Sequence, residues 1–174
     1  MLRKFSDSEI HEFFRAHFAH RLTVLLCVAK RSEQSDFWQG RGDVHCASIE
    51  GSFIMFRMFV AFLGLESYRL PSGEHDLRSR KQRKPTDVTL ANFGLPPAQP
   101  ADFAPHCALV GRVHDGVSKA TAHLTYEAND FFDSGRDYIP ALKELVRVIH
   151  ERLYKPLGRD FQLHPDLQRL YERS

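Results

Sequence analysis

Apolar and polar positions along this chain recur mostly at helical spacing. Ile10, Phe13, Phe14, Leu22, Leu25 and Val28 return every three or four residues, which predicts an amphipathic helix. Its start is marked by Ser6 with Glu9 three residues on, a capping box in which each side chain satisfies a backbone N–H of the first turn. His17 and Arg21 fall inside the apolar stripe, one turn apart. The pattern fades near Lys30, in the polar stretch Ser32 to Asp36, and Gly40 and Gly42 continue the break. A second helix is predicted from about Asp43 to Leu63, with Gly64 as its stop. From Ile49 onward almost every position of it is apolar, the pattern of a helix buried on all sides. Only Glu50 and Arg57 break that surface, nearly in line two turns apart.

Residues 66–100 read as a long irregular connection rich in Pro and Gly, with a short element around Asp87 to Phe93. A third helix is predicted from about Pro105 to Ala128, on the stripe Leu109, Val113, Ala120 and Leu124. A fourth runs from about Tyr138 to Tyr154, with Pro140 in its first turn, where the missing N–H costs nothing. A last short helix begins at Pro165. The expected fold is therefore all-α. It is an antiparallel bundle of four main helices plus a short C-terminal helix, in one domain over residues 1–174. The second and third helices form its core pair, joined by a long irregular basic loop, 65–100.

Composition narrows the class without naming an activity. A chain of 174 residues buries enough surface to fold without disulfide or metal staples. Cys27, Cys46 and Cys107 are isolated from one another, which argues for buried free thiols rather than a disulfide framework or zinc ribbon. The N-terminus lacks the apolar core and cleavage site of a secretory signal, and no window matches a membrane span. The expected location is the cytoplasm, with no membrane partner. The formal net charge is +2, which excludes a binder held by bulk charge. Locally the balance differs. Arg78, Arg80, Lys81, Arg83 and Lys84 form a run with no acid, and without these five the chain has 19 bases against 22 acids. Such a run contacts phosphates through charge alone; its plainer reading is a solvated loop.

Two further groups carry candidate chemistry. Lys119 and His123 stand one turn apart on the third helix, where a cation stabilises a phosphate and a histidine moves a proton near neutral pH. Glu50 and Arg57 either form a structural ion-pair network or line a polar site within the bundle. His17 and His20 have metal-chelating spacing, and Arg15 with His20 fits an Arg-x4-His pattern, but no carboxylate partner completes a metal site. No metal or other cofactor is expected. No phosphate loop, nucleophile elbow or dinucleotide fingerprint occurs.

Two segments together carry a resemblance. Ile49 to Leu63, with its Glu, an aromatic-rich turn, then Arg before an aliphatic–Phe–Leu ending, resembles the first signature helix of a family of uncharacterised bacterial helical proteins. Ser118-Lys119-Ala120-Thr121-Ala122-His123-Leu124-Thr125 resembles that family's Asn/Ser-Lys-x3-His-Leu-Thr segment. Thr86-Asp87-Val88 and Asn92-Phe93 resemble the stretch between them, so the likeness covers roughly residues 45–155. The Lys-x3-His helix in turn resembles the HEPN class of helical bundles, often dimeric, whose active members are metal-independent RNases. That resemblance implies His123 as general acid/base, with Lys119, Arg57 and Glu50 around it, and RNA or a nucleotide as partner. It places the Arg of the class's Arg-x4–6-His motif at about Val117, where this chain has no charge. The competing reading is a non-catalytic interaction protein, dimerising through an apolar face.

Overall fold

The structure, a computed structural model, describes residues 3–31, 43–81, 84, 87–122 and 134–159. Helix α1 (Asp7–Glu12) opens on the expected capping box: the Glu9 N–H donates to Ser6 Oγ at 3.4 Å and the Ser6 N–H to Glu9 Oε2 at 2.9 Å. The helix then widens into a π-helical stretch, Phe13–Phe18, where the Ala19 N–H reaches back five residues to the Phe14 carbonyl. It closes as α2 (Ala19–Arg31), which buries Leu22, Leu25 and Val28. Helix α3 (Asp43–Phe62) lies against α2, and the buried Ser52 hydroxyl bonds the Leu25 carbonyl (3.0 Å) and the Tyr138 hydroxyl (2.5 Å). It stops at Gly64, whose φ of +88° is the left-handed conformation glycine tolerates.

Helix α3 is not buried on all sides. Phe56, Phe59, Val60 and Phe62 enter the core, but Ile54 and Met58 are each 42% exposed. Ala47, Glu50 and Arg57 share that open face. Among the described residues its other sides pack against α2, helix α4 (Cys107–Ala122), helix α5 (Ile139–Ile149) and the strand Leu65–Arg69. The core is therefore not a single helix pair, because α3 packs on α2 as well as on α4.

The all-α expectation is overturned between residues 65 and 79. Strands β1 (Leu65–Arg69) and β2 (His75–Ser79) pair antiparallel, with Leu65 opposite Ser79 and Arg69 opposite His75. The period of two puts Leu65 and Leu77 into the core. On the other face the opposed pair Glu66 and Arg78 forms an ion pair at 2.8 Å. Gly73, at φ +90°, turns the chain between the strands. Five-residue strands carry too few alternations to stand out among the surrounding prolines and glycines. Further along the expected loop, 3-10 turns at Leu90–Phe93 and Pro100–Phe103 bury Leu90, Phe93 and Phe103. The buried Asn92 side chain donates to the Arg3 carbonyl at 2.9 Å and ties this region to the N-terminus.

Helix α4 lies directly on the hairpin. A Cβ at Gly111 would stand 2.7 Å from the Asp76 carbonyl oxygen, so only glycine permits this approach. The predicted continuation of this helix to Ala128 lies outside the described residues, as does the helix expected from Pro165. Helix α5 is flanked by π-helical turns at Ser134–Tyr138 and His150–Tyr154, followed by a 3-10 turn at Lys155–Leu157. The result is a mostly helical fold with a hairpin docked on one helix, in place of a four-helix antiparallel bundle. Among the described residues no helix is long and apolar enough to cross a membrane.

Candidate anion-binding cleft

A cleft of about 650 Å³ opens where three stretches of chain meet. The first is the π-helical stretch and the start of α2, which present His17 and Arg21. The second is the C-terminal half of α3, which presents Arg57. The third follows the hairpin and presents Arg80 and Asp87. The floor is apolar, built from Phe13, Met58, Phe59 and Val88 among others. Arg21 is steadied by donating Nη1–H to the His17 carbonyl at 3.0 Å. The Arg80 N–H donates to the Gly64 carbonyl at 2.8 Å, which fixes the backbone of the third wall. The Arg80 guanidinium pairs with Asp87 Oδ2 at 3.1 Å, and the Lys84 N–H donates to the same oxygen at 3.1 Å. Three guanidinium groups and one carboxylate thus line the same cleft beside an apolar surface, with Arg80 paired to the carboxylate.

The predicted site residues separate. Arg57 and Arg80 line the cleft, and these two the structure does bring together. Glu50 is exposed on α3 and does not line it. Lys119, on α4, pairs with Asp115 one turn earlier at 2.8 Å, away from the cleft. His123 and Arg83 lie outside the described residues. Arg78 is committed to Glu66, with its guanidinium 5.3 Å from the centre of the Tyr68 ring. Lys81 and Lys84 are exposed beside the cleft wall. Val117, at the position of the class's motif arginine, is fully buried. The nearby Arg112 pairs with the buried Asp137 at 2.9 Å. Among the described residues no group of three or more His, Cys, Asp or Glu could hold a metal ion.

The sequence pattern gave no signal for His114. It is buried where α4 meets β1, with Nδ1 2.9 Å from the Ser67 hydroxyl. Burial pushes its pKa down to about 4, and the positive charges of Arg57 and Arg80 act in the same direction against Asp115 and Glu66. Cys107 is a half-buried free thiol, pushed up to about 11 chiefly by burial, so it is protonated and unreactive near neutral pH. The side chains of Cys27 and Cys46 lie outside the described residues.

No protein family, curated protein or solved structure matches this chain in sequence or fold.

Proposed function

We propose that this chain is a binding module for single-stranded RNA, with the arginine cleft holding phosphates. The observation that carries this reading is convergence: Arg57 and Arg80, far apart in sequence, line one cavity together with His17 and Arg21. Lys81 and Lys84 extend the positive surface outward from Arg80. Arg78 adds less, because Glu66 already offsets its charge. The HEPN-like resemblance names RNA among phosphate-bearing ligands. Binding has more support than cleavage, since the motif arginine's place is taken by the core residue Val117.

Fluorescence anisotropy with a labelled single-stranded oligoribonucleotide tests the proposal. Affinity should fall steeply between 50 and 200 mM salt, as expected when several phosphates are neutralised. Arg57→Ala should weaken binding about tenfold and lower the salt slope by about one. Salt-insensitive binding, or equal binding by wild type and Arg57→Ala, overturns it. Metal-free cleavage of the same RNA, lost in His123→Ala, would make the module catalytic.

A second reading, dimerisation as an interaction protein, is favoured by the exposed pair Ile54 and Met58 on α3. It requires a dimer by sedimentation equilibrium that Ile54→Asp dissociates.

A further inference from the structure

Resting on the RNA-binding reading, we propose that the cleft accepts one unpaired nucleotide. Its base lies on the apolar floor and donates N–H groups to Asp87, while Arg21 and Arg57 hold its phosphate.

The cleft is larger and less polar than a site for phosphate alone. Its volume of about 650 Å³ falls within the range of small-molecule pockets. A phosphate held at the rim would leave the floor in water. Phe13 and Val88 are only half-buried and Met58 is more exposed still, so apolar surface is available to a flat ring. Base–aromatic stacking and thioether contacts both use such surface.

The rim decides between classes of apolar anion. A fatty or aromatic acid would satisfy the arginines and the floor but bring no N–H donor to Asp87. A nucleotide carries both complements, an anionic phosphate and a base edge with N–H donors. Arg80 and the Lys84 N–H both reach Oδ2 of Asp87, and the carboxylate lines the cleft and is partly exposed, so Oδ1 is the acceptor assigned to the base. Guanine presents two adjacent N–H donors on its pairing edge, which can converge on that one oxygen, whereas uracil presents one. A base within a duplex is paired and stacked and cannot enter without being extruded. The cleft therefore selects single-stranded over double-stranded RNA and prefers guanine.

Isothermal titration of the full chain with guanosine 5′-monophosphate, uridine 5′-monophosphate and ribose 5-phosphate tests this. The guanine nucleotide should bind best, displace labelled single-stranded RNA, and exceed ribose 5-phosphate at least tenfold. Asp87→Asn should bring the two nucleotides to parity. Because that change also removes the partner of Arg80, Met58→Glu serves as an independent variant at a half-exposed position, and it should abolish nucleotide binding. Equal affinity for ribose 5-phosphate and the guanine nucleotide overturns the inference, as does an unchanged guanine preference in Asp87→Asn. If RNA binds with the expected salt slope but neither nucleotide displaces it, this inference falls and the RNA-binding reading stands. If no RNA binds, both fall.

Discussion

At His114 a buried imidazole, a serine hydroxyl and two nearby guanidinium groups meet. The direction of its shift gives a pH dependence of stability. Its folded value, about 4, lies below the ordinary value of 6.5. Above pH 6.5 both folded and unfolded chains hold it neutral, so its contribution is complete. As pH falls from 6.5 toward 4, the unfolded chain takes up a proton that the folded chain refuses. Stability then declines by up to about 1.4 kcal/mol per pH unit. Urea midpoints measured at pH 7.5 and 5 should therefore separate more in wild type than in His114→Gln. Equal separation would mean that the imidazole protonates in place. Composition counted ten histidines and could not single out this one. What distinguishes His114 is a strand lying over it, and that contact joins positions 47 residues apart.

Between elements, the closest constraint is at Gly111. The α4 backbone passes so near β2 that even a methyl group meets the Asp76 carbonyl. Alanine favours an isolated helix over glycine by about 1 kcal/mol, yet here the crowding opposes it. Gly111→Ala should lower stability by roughly 1–3 kcal/mol, the usual cost of overpacking, measured by chemical denaturation. A stability gain would show that hairpin and helix yield to each other. The long helices were legible because their apolar stripes repeat over many turns: the Ser6 cap, the stop at Gly64 and Pro140 in the first turn all stand where the spacing put them. The hairpin was not, because two strands of five residues offer little periodicity. The apolar run of α3 was also over-read, since Ile54 and Met58 show that an apolar side chain does not ensure a neighbour.

Across the whole molecule, aromatic contacts join the first and last described helical segments. Phe14 and Phe18 meet Tyr154 with ring centres 5.1 and 5.9 Å apart, and the Arg159 guanidinium lies 4.8 Å from the centre of the Phe14 ring. Phe13, Phe14 and Phe62 also surround Phe93 from the turn after the hairpin. These phenylalanines thus gather the N-terminal helix, α3 and the connection into one core. The cleft is a product of the same gathering. Its parts were visible separately in the sequence, as His17 with Arg21, as Arg57, and within the basic run. Their meeting was not visible, because helical spacing relates neighbours along one element and says little about which elements touch.

The wide turn at Phe13–Phe18 has a consequence for chain length. Removing one residue from an α-helix rotates everything on one side of the gap by about 100° relative to the other. A π-helical stretch already holds one residue more than the α pitch needs, so it can lose that residue and leave both flanks facing as before. Deleting the exposed Ala16 should give a protein that still folds, with a circular dichroism melt near that of wild type. Deleting Thr23, within the regular turns of α2, should turn Leu25 and Val28 out of the core and abolish cooperative melting. The surplus residue then reads as an insertion that the fold does not need.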